Sequence, residues 1–322
     1  YDLSEMYGDN YGYKSSLNIS MVEHLKQKIF QIEKLYSVSS GDLVIDIGSN
    51  DATLLKSYKT QGLKRVGIDP TGNKFKEYYT DGLELIPDFF SKNFFFKKYG
   101  KAKAKIITSI AMFYDLENPK KFVSDIYEVL DKDGIWHFEQ SYMPTMLRMN
   151  SYDTICHEHL EYYSLLNVKS LLEECGFKII DVTMNYINGG SFAVTACKKK
   201  SSTKSNDAVI EWLLRSENEM GLNTLKPFKL FKDRIYEHRT NLRNLIFNFL
   251  VVCLSQPRVQ VAKKMKLKNE ISFHIQVDKN TFGKFCGNRF NLFRSFCFPQ
   301  QPCFLLVSFG SNVVEKNIFS PF

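Results

Sequence analysis

The chain has 322 residues, 44% hydrophobic and 24% charged, enough for one large or two ordinary domains and inconsistent with a disordered, collagen-like or disulfide-scaffold protein. Lys and Arg number 43 against 35 Asp and Glu, a balance of +8 gathered partly in runs such as Lys198-Lys199-Lys200 and Lys263-Lys264-Met265-Lys266. Such runs read as solvated faces, so no nucleic-acid partner is expected. The longest apolar run near the middle, Leu245 to Leu254, is broken by Asn248 and falls far short of the ~20 residues that span a bilayer, so no membrane is expected. Seven cysteines without a CxxC pair suit neither a disulfide framework nor a structural zinc, and a cytoplasmic setting is expected.

Taken in order, Leu17 to Leu35 carries helical periodicity through Met21, Leu25, Ile29, Ile32 and Leu35. Strand-like and helix-like runs then alternate from Asp42 to about Lys200. Leu43–Asp46 reads as a strand, Asp51–Lys59 as a helix, and Arg65–Asp69 and Lys105–Ser109 as strands. Phe122–Leu130 reads as a helix, Gly134–Phe138 as a strand, and Val168–Cys175 as a helix closed by Gly176. Lys178–Val182 and Ser191–Thr195 make a closing hairpin. This rhythm predicts a doubly wound α/β domain with a mostly parallel sheet. A polar Lys198–Asn206 linker leads to helical sequence from about Ala208 to Leu254. The last seventy residues hold 11 of the 27 Phe, with weak periodicity. The expected division is 1–40, 41–200 and 201–322.

The strongest local signal is Val44-Ile45-Asp46-Ile47-Gly48-Ser49-Asn50-Asp51. A strand ends in an acid and turns through a glycine into an expected helix N-terminus, where backbone amides are free for a ligand. About twenty residues later Asp69 ends the next strand, where a carboxylate can accept both hydroxyls of a ribose. Only one glycine stands in the turn, which suits S-adenosylmethionine better than a dinucleotide pyrophosphate. Asp46, Gly48, Asn50, Asp51 and Asp69 are therefore candidate cofactor residues, with Asp88 for an adenine contact and Ser109 at a further strand end.

The second signal is Tyr152 to Tyr163, with His157-Glu158-His159 at its centre. Two histidines at i and i+2 could bind a metal, but no further ligand cluster lies nearby and none is expected. A satisfied core or surface histidine pair is a second reading, and the better one is a general base with an orienting carboxylate, because imidazole is readily poised near neutral pH. Two stretches fall at strand ends, Ser109–Asp115 and Phe138–Tyr142. Asn188-Gly189-Gly190-Ser191 forms a turn whose amides could hold an anion, or a plain hairpin turn.

Tyr7-Gly8-x-x-Tyr11-Gly12-Tyr13-Lys14-Ser15, Val44–Asp51, Glu139-Gln140-x-Tyr142, Tyr152–Tyr163 and Asn188–Ser191 occur in one order. Over residues 1 to 200 that order resembles the SAM-dependent nucleotide-sugar C-methyltransferases. The resemblance implies a Rossmann-like class I methyltransferase domain and a smaller, divergent C-terminal α/β domain. It implies S-adenosyl-L-methionine as cofactor and a nucleotide-linked deoxy-4-keto sugar as substrate. His159 would remove the proton next to the ketone, and the enolate would take the methyl group. Glu158 would hold or orient the sugar, Tyr11 or Tyr13 would line its pocket, and Tyr114 stands where relatives can carry a histidine. Tyr142, Asn188, Gly189, Gly190 and Ser191 would bind substrate. Family members usually carry an N-terminal zinc module that would end just before this chain begins. They also carry a glycine-rich segment near the start of the C-terminal domain, where this sequence reads Ser255–Ala262 without glycine. Val277–Asn280 and Phe304–Val307 are faintly similar to the family's strands. An O- or N-methyltransferase on another small molecule, or an inactive paralogue that only binds SAM, fits the same cofactor motif.

Overall fold

The computed structural model describes residues 6–7, 11–254, 260–267, 270–277 and 303–309. Gly8, Ser255–Val259 and Asp278–Asn280 lie outside them. Two units are distinguished, Tyr1–Arg234 and Ile235–Phe322.

In the first unit, α1 (Ile19–Leu35) precedes β1 (Leu43–Ile47), β2 (Lys64–Ile68), α2 (Gly72–Phe75), β3 (Leu83–Ile86), α3 (Lys92–Tyr99) and β4 (Ala104–Ile110). Then follow α4 (Pro119–Val129), β5 (Leu130–Ser141), α5 (Met143–Met149), α6 (Leu165–Glu174), β6 (Phe177–Asn185), β7 (Ser191–Lys198) and α7 (Asp207–Met220). Helix α8 (Lys226–Leu254) begins in this unit and ends in the second. Seven strands form one sheet in the order β3-β2-β1-β4-β5-β7-β6. The first five are parallel, whereas β7 is antiparallel to both β5 and β6. Chain order reverses between β1 and β4, so the connections after these strands leave in opposite directions and open a crevice at their carboxyl ends. The second unit contains an antiparallel sheet of β8 (Gln260–Leu267), β9 (Glu270–Val277) and β10 (Cys303–Phe309), in the order β10-β9-β8.

The main sheet is buried on both faces, which is why β1 reads as an unbroken Leu-Val-Ile-Asp-Ile run. Leu43, Ile45 and Ile47 point into a core with Phe95, Phe113, Val123, Ile126, Trp136, Phe138 and Leu172. Val44 points the other way, joining Leu25, Ile29 and Ile32 of α1 and the loop residues Leu54, Leu55 and Tyr58. Helix α4 shows how local sequence serves this packing. Asn118 accepts a cap hydrogen bond from the Lys121 amide, Pro119 stands in the first turn, and Phe122, Val123, Ile126 and Val129 are buried.

One expected helix is absent. Asp51–Lys59 forms turns and a single 3-10 turn, Leu55–Ser57. Asn50 and Ala52 both take positive φ, 47° and 62°, and the Asp51 carboxylate accepts the Thr53 amide and hydroxyl. These local bonds compete with helical ones and keep the segment a loop. The expected unpaired amides of a helix N-terminus are accordingly not there. The long helical stretch after the linker is also two helices, α7 and α8, separated after Gly221 at φ 74°.

Glu217 of α7 fastens the C-terminal side of this unit. Buried to 3% exposure, it accepts the Tyr142 hydroxyl at 2.6 Å and the Leu165 and Leu166 amides at 2.6 and 2.9 Å. It thereby caps α6 across the chain. Glu217→Ala should cost roughly 3 kcal/mol, because three buried donors lose a charged acceptor. Urea unfolding of the two proteins, read as a midpoint shift at constant slope, checks this.

Candidate functional site

The loop after β1 is organised around Asn50. Its amide donates to Asp69 Oδ2 at 2.7 Å, joining the ends of β1 and β2. Its side chain reaches the N-terminal segment: Oδ1 accepts the Ser15 amide at 3.0 Å, and Nδ2 donates to the Tyr13 carbonyl at 3.1 Å. Asp51 adds a third tie by accepting the Ser16 amide at 3.0 Å. Burial would raise the Asp51 carboxyl, but the hydrogen bonds from Ser16 and Thr53 outweigh it and hold it below its ordinary value. Lys74 donates to the Tyr11 carbonyl and Lys14 to the Tyr78 hydroxyl, both at 2.6 Å. Residues 11–16 are thus a strap laid over the β1 and β2 ends.

Beneath the strap, Gly48 has φ 74°, and a side chain there would approach Met112 Cγ within 3.3 Å. The Ser49 hydroxyl and Tyr79 hydroxyl bond at 2.6 Å, and the latter donates to the Asn50 carbonyl at 3.0 Å. Tyr79 is a residue the sequence reading missed. It comes from the end of a short turn with no periodic signal, and only the fold brings it to the loop. Asp69 also accepts the Thr71 amide and hydroxyl on Oδ1. Asp88 stands beyond β3 and accepts the Phe89 amide, two strands from β1 along the same edge.

Ser109 is a correction, and Asp46 stands within β1, two residues before Gly48. Asp46 pairs in register with Thr108 on β4 and accepts its hydroxyl at 2.6 Å. It is buried on the α1 side, and burial pushes its carboxyl up to about 7, with a smaller contribution from Asp69. Ser109 is fully buried and accepts the Trp136 indole N–H at 3.0 Å. Its side chain belongs to the core, because alternate residues of a strand face opposite sides.

The second group lies at the carboxyl ends of β4 and β5. Tyr114, in the 3-10 turn Phe113–Asp115, lies with its ring centroid 4.1 Å from that of His159. The Tyr114 carbonyl accepts the amides of Leu160 and Glu161, both at 3.0 Å, which holds the histidine loop in place. His159 Nδ1 is 2.8 Å from the Thr154 carbonyl. A carbonyl only accepts, so Nδ1 carries the hydrogen of the neutral ring and Nε2 keeps its lone pair. Burial lowers the pKa of His159, opposed by the Thr154 bond and by Glu158. Glu158 and His157 are exposed.

Tyr11 links the two groups. Burial, then Glu158, Asp69 and Asp115, raise its hydroxyl pKa, so its phenol senses both the cofactor edge and the histidine loop. Tyr13 is 6.5 Å from Tyr11, ring to ring, and about half exposed.

The Tyr142 substrate expectation is overturned by its bond to Glu217, which turns the ring into the core at 2% exposure. In the 188–191 turn, Gly190 donates its amide to Ile187 and Ser191 its hydroxyl to the same carbonyl at 2.8 Å. Gly190, at φ 121°, lies against Thr145, where a Cβ would come within 2.4 Å of Cγ2. Those two residues build the turn itself. Asn188 and Gly189 remain exposed.

Glu139 belongs to the scaffold. His24 Nε2 is 2.7 Å from Oε1, while Lys28 and Asn185 donate to Oε2 at 2.6 and 2.7 Å. Burial alone would raise its carboxyl, but His24 and Lys28 hold it down at about 2. Its neighbour Gln140 is different. Both amide atoms are buried without a partner, as is the Tyr163 hydroxyl. Phe113 packs on Phe138, two residues before Gln140, and on Tyr163, with ring centroids 5.2 Å apart in each case. These orphaned polar atoms therefore lie on the side of the sheet that carries Tyr114.

The sequence signature of the family described as "Methyltransferase domain" matches residues 21–182, or 162 of 322 residues, and the chain belongs to that family, whose cofactor is S-adenosyl-L-methionine. The signature described as "C-methyltransferase C-terminal domain" matches residues 186–250. C-methyltransferase NovU of Streptomyces niveus is 27% identical over 240 residues, which is 74% of this chain and 56% of NovU. The chain thus spans about half the length of that curated relative. Among solved structures, magnesium protoporphyrin IX methyltransferase ChlM from Synechocystis PCC 6803 with bound SAH is 12% identical. The match covers 60% of this chain and 91% of that one, with TM-score 0.42. Mitomycin 7-O-methyltransferase MmcR is 14% identical, with coverage of 57% and 55% and TM-score 0.44.

The donor set fits the cofactor. A carboxylate at the β2 end suits a ribose diol, the Gly48 turn suits a close backbone approach to a ligand, and Asp88 stands beyond β3 on the same edge. Asp69→Ala should weaken binding of S-adenosylhomocysteine at least tenfold, about 1.4 kcal/mol, because the ribose acceptor and the Asn50 tie are lost together. Calorimetric titration checks this, and an unchanged affinity would remove Asp69 from the site.

Proposed function

We propose that the chain catalyses C-methylation of a nucleotide-linked deoxy-4-keto sugar at the carbon next to the ketone, with His159 as the base. The observation that carries this reading is the His159 tautomer. Nδ1–H is bound to the Thr154 carbonyl, and the ring is held against Tyr114 with Nε2 free. A proton next to a carbonyl needs such a base at close range. The lowered pKa keeps the imidazole unprotonated at neutral pH. Similarity to NovU and to the C-methyltransferase C-terminal domain supports carbon as the acceptor.

S-adenosyl-L-methionine, when bound, supplies the electrophilic methyl group. Asp69 and the Gly48–Asp51 loop hold the cofactor, with Asp88 on the adenine side. Tyr11 and Tyr13 cover the crevice and exclude water from the reacting carbon. Glu158 orients the sugar through a hydroxyl, and the exposed Asn188-Gly189 amides line the far side.

His159→Asn should leave S-adenosylhomocysteine affinity within twofold while abolishing methyl transfer to the sugar. Incubation with methyl-labelled cofactor, followed by NMR of the product, reads both the loss and the atom that receives the methyl. A label on oxygen or nitrogen would replace C-methylation with the other class of acceptor. Near-normal turnover by the variant would place the base elsewhere.

A further inference from the structure

Asp115, in the turn after β4, holds an unsatisfied acid group. Tyr7 donates its hydroxyl to Oδ2 at 2.7 Å, while Oδ1 is buried with no hydrogen-bond partner. The residue is 9% exposed. Stripping such an oxygen of water without replacement costs about 1–3 kcal/mol, and a ligand that completes it is the physical explanation for keeping it there. Asp115 shares its 3-10 turn with Tyr114, whose ring lies against His159. Tyr7, in turn, packs on Tyr11 with ring centroids 5.2 Å apart. The strap, the turn after β4 and the histidine loop thus meet around one carboxyl group.

Resting on the C-methylation reading, we propose that Asp115 is a further catalytic residue, donating a hydrogen bond from protonated Oδ1 to the ketone oxygen of the substrate. The class of substrate it selects is a carbonyl compound bearing a proton on the adjacent carbon. Tyr7 reserves Oδ2 as an acceptor, which leaves Oδ1 to carry the acid hydrogen. The groups facing Asp115 are Tyr7, Tyr11 of the strap, Tyr114 beside it, and Glu158 from the loop. Burial first, then Glu158, push the Asp115 carboxyl up to about 7 against the opposing Tyr7 bond. The neutral acid is therefore populated at neutral pH.

The step balances. His159 Nε2 takes the proton from the carbon next to the ketone, and the C–H electron pair forms the C=C bond. The carbonyl π pair moves to oxygen, where the Asp115 hydrogen bond strengthens as charge develops. When the new C–C bond forms, the carbonyl is restored and Asp115 retains its proton. The electron pair of the broken sulfur–methyl bond stays on sulfur, and His159 releases its proton to solvent.

Two measurements on the full chain test this. The first is deuterium exchange, followed by NMR, of the ring proton next to the ketone of a thymidine-diphosphate 4-keto-6-deoxyglucose. It is run in D2O with S-adenosylhomocysteine present, so no methyl transfer is needed. The wild type should exchange this proton, with a rate that falls as pH rises through about 7. Asp115→Ala should be about a hundredfold slower, the usual loss for one oxyanion donor. Asp115→Asn keeps an N–H donor that does not titrate, so it should stay within about tenfold and lose the alkaline fall. A wild-type rate for Asp115→Ala, or an alkaline fall kept by Asp115→Asn, overturns the Asp115 role and leaves His159 as base. A wild type that binds S-adenosylhomocysteine but exchanges nothing, with this sugar or its uridine counterpart, overturns both. The second measurement needs no substrate: the Asp115 carboxyl 13C resonance should titrate near 7 in the folded chain. Full ionisation below pH 5 overturns the proposal whatever the sugar does.

Discussion

The site depends on three of the hydrogen bonds that Asn50 makes. Its amide closes the β1 loop onto Asp69, and its side-chain oxygen and nitrogen hold the Ser15 amide and Tyr13 carbonyl. An asparagine can do this because its short amide tolerates positive φ and offers both a donor and an acceptor. Remove that residue and two strand ends and the strap lose their common anchor. The absence of a helix after β1 follows from the same geometry, since a chain turning through positive φ at Asn50 and Ala52 cannot enter a right-handed helix there.

The buried carboxyl groups differ in what they join. Glu139 and Glu217 each collect three close donors or cations, and they join helices to the sheet. Asp46 has the Thr108 hydroxyl and sits under α1. Asp115 has one donor and one bare oxygen, and it follows Tyr114, whose ring lies against the candidate base. Hydrogen bonds to the ionised form lower a carboxyl pKa and burial raises it, while a bare oxygen leaves capacity for a ligand. A bare buried oxygen, and not burial alone, sets Asp115 apart.

Much of the fold was legible because its signals are local. Short apolar strands and the 3.6-residue spacing of α1 each declare themselves within a few positions, whereas the Asn118–Pro119 start of α4 lies ahead of the Phe122 expected. The Gly48–Asp69 spacing and the His157-Glu158-His159 run singled out the two groups of residues on which the proposed site rests. Ser109 and Tyr142 were misassigned because a strand end alternates faces, and position at the edge does not say which way a side chain turns. Tyr79 and the bare oxygen of Asp115 carried no sequence signal, since a buried unpaired atom is defined by neighbours far along the chain.

The sequence by itself determined the layered α/β class, the strand–turn–acid cofactor motif and the candidate base, because periodicity and short spacings suffice for these. Tertiary structure alone decided that the strap crosses the β1 loop and that His159 presents Nε2 through its bond to Thr154. It also decided that Glu139 is spent on α1 while Asp115 remains incomplete. These depend on contacts between residues as far apart as Tyr7 and Asp115, and no local propensity encodes which distant donor will arrive.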